Sequence, residues 1–551
     1  MAVRNRTGDA EAKIMSSSSK PKFSLETTTV IGEDGATDRL LTGRRSFTWV
    51  TRKCADAVAA RPALAALPLL LVMSGCLMGP NYKRPTVSTP TVYRGPSETT
   101  PQSPPAAQQA DFADLPWWEV FHDGNLTQLI KTALANNHDL AAAVARVEQA
   151  DQVAAQARSQ YFPMLGYATL TSYGHNQFVY SPIAPPSGAQ GFLMAIGRAS
   201  WEADLWGRIR RTNEAARAQM FATEEARRGV MLTLTGQVSQ AYFELLGLRY
   251  QLDIAKESRQ SLTTNLELVT QREKEGLGNG LQTSRAVNDL ANASGSIPEL
   301  ERLIALKENE ISVLLGKNPG PIETKAKFLG EVPPEVPAGL PSALLERRPD
   351  VRAAEQAMRS ANAQIGVAQA AYFPTIGLTT FFGKLSTPLE NLTSSRTNAW
   401  SLAAAISGPV FTAGAITAQK HQAIAAWEQT REQYLQTALS AFRDVSDALI
   451  SREKIDAVRA EQARAVQSNE DALRLTTLRY DNGLSSNMAV LEANQRLLSA
   501  QVSLAQTEIG RRVVIVQLYK ALGGGWNLTD AQWVAASTAP VAQSPAPAQK
   551  P

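Results

Sequence analysis

The chain spells one long unit twice. "SQYFPMLGYAT" at Ser159–Thr169 and "AAYFPTIGLTT" at Ala370–Thr380 share Tyr-Phe-Pro and a following glycine, 211 residues apart (377 − 166). The same offset joins Asp139-Leu140 to Asp350-Val351, Ala150 to Ala361 and Ala157 to Ala368. Farther on the offset becomes 207 (414 − 207) and holds from Gly207/Gly414 through Arg272/Arg479 to Leu315-Gly316/Leu522-Gly523. One register with a single slip is an internal duplication, and its period is far too long for a solenoid. The chain therefore reads as two structural repeats, residues 117–320 and 341–525, joined by a Pro/Gly-rich linker at 321–340.

Each repeat has the same internal order. A helix of about 20 residues is expected to start at Asp139 and again at Asp350, since aspartate is a good N-cap. Each runs into Tyr-Phe-Pro, where proline stops it. Alternating segments follow, which read as strands at about 161–179 and 190–205, then 372–384 and 398–411. Trp400, Leu402, Ala404, Ile406 and Val410 share one side of the last strand; Ser401 and Ser407 lie on the other. After Gly207 and Gly414 the period turns helical. Val238, Ala241, Leu245, Leu248 and Leu252 follow heptad spacing, as do Leu435, Ala438, Phe442, Val445 and Leu449. The run from Gly207 to Gly276 has no proline, so a helix there would reach roughly 100 Å. Turns at "EGLGNG" and "DNGLSS" send each helix back.

The fold class is thus mainly α with a small β part, a tandem repeat of long helical hairpins with four strands per chain. Half-apolar strands of this kind form the wall of a transmembrane barrel. Four strands alone would leave open edges in lipid, so three copies closing a 12-stranded barrel is the expected solution. Tyr161, Phe162, Pro163 and Tyr372, Phe373, Pro374 would mark the helix-to-strand junctions near the membrane surface. The alternative for these aromatics is core packing.

The ends carry different information. "RPALAALPLLLVMSGC" has a basic start, an apolar run and small residues before Cys76, the pattern of a leader covering 1–75. The run is about 14 residues, short of the roughly 20 that a spanning helix needs. Residues 76–116 read as an extended segment and 526–551 as a disordered Ala/Pro/Gln-rich tail. Without the leader, Lys+Arg and Asp+Glu each number 44 (55 − 11 and 51 − 7), so the basic balance gives no argument for nucleic acid. Cys54 falls in the leader, which leaves Cys76 without an intrachain disulfide partner.

"MSGC" followed by "MGPNYKRP", then "WWEVFHDGNLTQLI", "RRPDVRAAE", the two Tyr-Phe-Pro sites and the two Gly-Leu turns resemble the outer-membrane efflux proteins. The subgroup is the TolC-like lipoprotein outer-membrane factors of tripartite drug-efflux systems, and the resemblance covers residues 76–525. It implies a homotrimer: a 12-stranded β-barrel in the outer membrane of a Gram-negative bacterium, continued by a trimeric α-barrel across the periplasm. The implied partners are outer-membrane lipid, a periplasmic adaptor and a proton-driven inner-membrane pump. No cofactor, metal site or nucleic acid is implied. Cys76 would be the lipidated residue, and Leu77 rather than Asp after it agrees with delivery to the outer membrane. Gly276-Leu277 and Gly483-Leu484 match the periplasmic tip that docks the adaptor. Arg479 and Tyr480 match the Arg-Tyr pair of the gate. Family members place an aspartate six positions after each tip glycine, where this chain has Gln282 and Ala489. Arg285 and Glu492, nine positions on, become candidates for the charge of the constriction.

Two other classes weigh less. A periplasmic adaptor carries one helical hairpin, not two, each preceded by strands. An enzyme finds little support: His122, His138, His175 and His421 have no metal-ligand spacing, and neither a phosphate loop nor a nucleophile elbow is present. The cargo of a channel is open between small organic compounds, metal ions and secreted protein. Met164, Met194, Met220, Met231, Met358 and Met488 are scattered, which favours organic cargo over metal.

Overall fold

Residues 76–90, 93, 116, 120, 123–174, 190–324, 341–386 and 394–525 are described by a computed structural model. The leader, most of 91–122, the strand ends at 175–179, most of the linker and the tail lie outside the described residues. Among the described residues the order is α1 (Gly124–Asn136), α2 (His138–Ser159), β1 (Met164–Gly174), β2 (Gln190–Ala203), α3 (Arg208–Lys274) and α4 (Gly280–Leu314). Then come α5 (Pro341–Arg347), α6 (Pro349–Ala370), β3 (Thr375–Ser386), β4 (Asn398–Ser407), α7 (Ala415–Asp481) and α8 (Asn487–Ala521). The duplication is carried into lengths: α2 and α6 have 22 residues, α3 and α7 have 67, α4 and α8 have 35.

At 1.5 Å per residue a 67-residue helix is about 100 Å long, while its 35-residue return covers about half of that. The remaining half is covered by α2, which packs on α3 where α4 has ended. Asn137 Nδ2 donates to the Leu314 carbonyl at 3.0 Å and joins α2 to α4 end to end. In the second repeat Arg348 Nη1 donates to the Ala521 carbonyl at 3.3 Å and joins α6 to α8. Asn137 and Arg348 are equivalent by the first offset, and Leu314 and Ala521 by the second. Different side chains thus make one bond at the same place. Each joint needs a left-handed glycine, Gly316 (φ 67°) and Gly523 (φ 72°). A Cβ on Gly316 would lie 2.3 Å from the Asn136 carbonyl oxygen.

The core sits at this level of the hairpins. Val238, Tyr242 and Leu245 of α3 pack with Leu126, Ile130, Ile311, Val351, Met358, Tyr434, Val445 and Leu518. The heptad positions Ala241, Ala438 and Phe442 are buried there as expected from spacing. Tyr242 Oη donates to Asp123 Oδ2 at 2.8 Å, and burial together with that carboxylate raises the phenol pKa far above its ordinary value. No described helix is long and apolar enough to cross a membrane.

The four strands form one antiparallel sheet in the order β1-β2-β3-β4. Both hairpins share one register: Met164↔Ser200 in the first becomes Thr375↔Ser407 in the second under the two offsets. The strands begin at Met164 and Thr375, later than the expected 161 and 372, and β2 and β4 end at 203 and 407 rather than 205 and 411. Proline accounts for the late starts, because Tyr161-Phe162 and Tyr372-Phe373 still belong to the turn closing each helix. The expected caps also shift. Asn137, not Asp139, caps α2 through Leu140 N, and α6 begins at Pro349 without a side-chain cap. Asp139 and Asp350 lie in the first turn, where their charge still suits the helix dipole.

Candidate channel wall, anchor strap and periplasmic tip

The register decides which side chains share a face. Leu165, Tyr167 and Tyr173 of β1 lie beside Leu193 and Trp201 of β2, Ile376, Leu378 and Phe382 of β3, and Trp400, Leu402 and Ile406 of β4. Most are exposed, so nothing among the described residues covers this face. The other face is mixed: Gly166, Ser200, Thr379, Ser401, Ala405, Arg198 and Glu202 share it with the apolar Met164, Leu170, Phe192, Met194, Ile196, Phe381 and Leu385. A broad exposed apolar face, opposite one that carries the charged and hydroxyl groups of the sheet, suits a wall between lipid and water.

Two dissimilar junctions join sheet to helices. At the first, Asp204 accepts from Ile209 N at 3.1 Å and Arg210 N at 2.9 Å and so caps α3, whose N-cap position is Gly207. Glu202 pairs with Arg208 at 2.7 Å, and Trp201 Nε1 donates to the Tyr161 carbonyl at 2.9 Å. Phe162 is exposed, whereas Phe373 stacks on Trp206 with centroids 4.6 Å apart. Trp206 Nε1 also donates to the Pro374 carbonyl at 2.7 Å, and Tyr372 Oη bonds Thr417 Oγ1 at 3.0 Å. Phe162 and Tyr372 are thus exposed, whereas Tyr161 is half-buried and Phe373 is packed against Trp206 of the first repeat.

Cys76 is exposed at the start of a strap that runs between the repeats. Met78 N donates to the Trp206 carbonyl. Arg211, 1 % exposed, donates to Met78 O at 3.0 Å, Gly79 O at 3.1 Å, Asn81 Oδ1 at 2.9 Å and Glu214 at 2.7 Å. From the second repeat, Asn362 donates to the Pro80 carbonyl, and Glu355 holds both Tyr82 and Arg84. "GPNYKRP" is therefore the sequence of a strap threaded into a groove between α3 and α6.

At the far end, both Gly-Leu turns are one capping motif. Gly276 N donates to Glu273 O and Leu277 N to Arg272 O; Gly483 N donates to Tyr480 O and Leu484 N to Arg479 O. Glycine is required because φ is 75° and 72°. Leucine is not, since the motif uses its N–H and leaves the side chains 75 % and 69 % exposed. Asn279 and Ser486 then cap the returning helices. Tyr480 is buried at this end, held by Arg272 of the other repeat at 2.7 Å. Arg479, the counterpart of Arg272, instead turns to its own loop. Within the chain, Arg285 and Glu492 do not pair: Arg285 donates to Met488 Sδ at 3.6 Å and Glu492 lies 3.9 Å from Arg496. Both are on different helices and each finds a nearer neighbour.

The model of the outer membrane efflux protein family matches residues 129–317 and again 340–524, once per repeat. The chain belongs to the outer membrane efflux protein family. It is similar to the probable efflux pump outer membrane protein TtgC of Pseudomonas putida, 32 % identical over 83 % of this chain and 94 % of that one. It is similar also to the cation efflux system protein CusC of Escherichia coli, 30 % identical over 83 % and 97 %. Among solved structures, the open state of the Neisseria gonorrhoeae MtrE outer membrane channel superposes with a TM-score of 0.72 at 28 % identity, over 82 % of this chain and 99 % of that one. The chain is an outer-membrane channel, the exit duct of a tripartite efflux pump.

Sequence reasoning missed three residues that tie the elements of this efflux protein together. Arg272 was paired with Arg479 by the duplication, which hides its contact with the inequivalent Tyr480. Arg211 lies in the first turn of α3 and Asp204 just past the end of β2, and no motif marks either. The signal that finds Arg211 is its place in "RIRRTNEAA", on the helical stripe it shares with the buried Ala215, Ala218 and Ala222.

Proposed function

We propose that three copies of this chain close a 12-stranded barrel, with Cys76 acylated beside its root and the α3–α4 and α7–α8 hairpins forming a periplasmic tube. One observation carries this reading: a four-stranded sheet with an apolar exposed face and two edges, β1 and β4, that are unpaired among the described residues. An open edge in lipid costs several kcal/mol per unpaired group, and the smallest such barrels have eight strands. Two or three acyl chains at about 0.8 kcal/mol per buried methylene would hold the strap durably at the membrane. The exposed Leu277 and Leu484 dock the adaptor, Tyr480 holds the tip closed through Arg272, and Glu492 and Arg285 supply charge at the constriction. An inner-membrane pump, proton-driven, delivers the cargo.

Small organic compounds are the cargo. The methionines support this over metal ions: Met231 and Met358 are buried in the core, and Met164 and Met194 occupy separate cross-strand pairs of the sheet. The test is export by cells. Deleting the gene should raise sensitivity to organic solvents and hydrophobic antibiotics severalfold and leave copper and silver tolerance unchanged. Selective loss of metal tolerance contradicts the cargo, and Glu492→Gln with unaltered cation selectivity removes the charge assigned to the constriction.

A further inference from the structure

The charged side chains of the described strands are Arg198, Glu202 and Lys384. Lys384 shares the outward face with Phe382 and donates to the Ser394 carbonyl at 2.9 Å. Glu202 is taken up by Arg208, whose Nε and Nη2 donate to its carboxylate oxygens at 3.0 Å and 2.7 Å. Arg198 is left. It is exposed on the face opposite the broad apolar one, and no carboxylate among the described residues pairs with it. We propose that Arg198 is a station for organic anions in the barrel lumen, its guanidinium taking a carboxylate and the neighbouring Phe381 ring taking the apolar body behind it. The proposal rests on the barrel reading above, which makes this face the lumen, and adds to it the chemical class of the cargo.

The register makes room for the arginine. Arg198 stands between Gly166 of β1 and Phe381 of β3, with Ser401 of β4 beyond. A Cβ on Gly166 would lie 3.5 Å from Arg198 Nε and 3.8 Å from its Cγ, so the side chain lies across bare backbone. Opposed side chains have Cβ atoms about 4.5–5.5 Å apart, which puts the Phe381 ring within reach of whatever the guanidinium holds. The sheet itself does not need the charge. At the equivalent place in the second hairpin Gly377 stands opposite Ala405. The glycine recurs and the arginine does not, so folding the hairpin does not call for a guanidinium there.

The surroundings change at the level of Arg198. On the helix side the same face carries the hydroxyls of Ser200, Thr375, Thr379 and Ser407, together with Met164. On the far side Leu170, Met194, Ile196 and Leu385 are apolar. An amphiphile rising from the helical tube meets the cation just before the apolar rows. Its carboxylate stays at Arg198 while its body lies on Phe381 and Ile196. An unpaired cation on a low-dielectric wall concentrates counter-ions, and a planar fork favours a carboxylate over a spherical anion. Glu492 at the tip acts in series, so Arg198 lowers the cation preference set there without inverting it.

Reversal potentials of the purified full chain in a planar bilayer, under a KCl gradient and with benzoate as the probe anion, test the station. Arg198→Gln should raise the potassium-over-chloride permeability ratio severalfold, and Arg198→Glu should raise it further. Benzoate should reduce the wild-type current, and Arg198→Gln should weaken that block severalfold. Arg198→Lys should keep the wild-type ratio and still lose most of the block, since an ammonium lacks the fork. Benzylammonium, of similar shape and opposite charge, should respond alike in wild type and Arg198→Lys. Each variant should cross-link as a trimer, because the substituted side chain is exposed. A permeability ratio and a benzoate block both unchanged in the Gln and Glu variants would overturn the proposal. A shifted ratio with the block unchanged overturns the carboxylate station. No conductance from any form, wild type included, overturns the duct reading beneath it.

Discussion

Arg272 Nη1 donates to Tyr480 Oη at 2.7 Å, and its guanidinium carbon lies 4.8 Å from the centroid of the same ring. The contact ties the lower ends of α3 and α7, one from each repeat. Tyr480→Phe keeps the ring and removes the hydrogen bond. A charge-assisted bond at this part-buried site contributes roughly 1 kcal/mol or more, at least about fivefold in an equilibrium. The variant should raise the open fraction of the channel about that much per protomer, and Arg272→Met should do more because it removes the ring contact too. Influx of a large antibiotic through the outer membrane of otherwise intact cells measures both.

Arg211 is buried and fully engaged by the strap. Arg211→Met would leave the Met78 and Gly79 carbonyls and Glu214 without their donor. A loss of about 3–5 kcal/mol is expected, as for other broken buried charge pairs. Arg211→Lys should restore little, since one ammonium cannot reproduce the planar fork. Thermal unfolding of the purified protein in detergent reads the difference.

Two left-handed glycines separate local from tertiary cost. A Cβ on Gly276 would meet nothing within 4 Å, so Gly276→Ala carries the backbone penalty alone, about 1–2 kcal/mol. A Cβ on Gly316 would collide with the backbone of Asn136 at the joint of α4 with α2. Gly316→Ala should lower the melting temperature clearly more than Gly276→Ala. Equal shifts would mean that the end-to-end joint adds nothing to stability.

Glu508 of α8 bonds Arg459 of α7 at 2.7 Å and Arg512 at 2.9 Å. Burial opposes its ionisation, but the two guanidinium groups outweigh burial and hold its pKa below the ordinary carboxylate value. The folded value being the lower one, this stabilisation is complete above the unfolded pKa, about 4.3, and is lost as pH falls through the folded value. Acid should therefore loosen the α7–α8 hairpin first. Hydrogen exchange in α8 between pH 6 and pH 3 is the measurement, and Glu508→Gln should flatten that pH response while destabilising the hairpin at neutral pH.

Much of this was legible in sequence because covalent geometry repeats faithfully. Proline ends a helix, glycine admits positive φ and a strand alternates sides wherever it stands, so Tyr-Phe-Pro and Gly-Leu mark the same events twice. The stacking of α2 on α4 was not legible. It joins residues 137 and 314, and its two bonds are made by Asn137 and Arg348, which share no side-chain chemistry. The caps failed for a related reason: Asn137 serves both its own helix and the joint, and nothing in its immediate neighbours announces the second role. The Arg272–Tyr480 contact was hidden by the duplication itself, which aligns Arg272 with Arg479 and so draws attention away from Tyr480.

The central claim is that this chain is a gated exit duct, and single-channel recording of the purified protein in a planar bilayer tests it most directly. The account predicts a cross-linked trimer with small, cation-selective steps that grow when Tyr480 is replaced by Phe. A monomer giving no conductance, with or without that substitution, would contradict it.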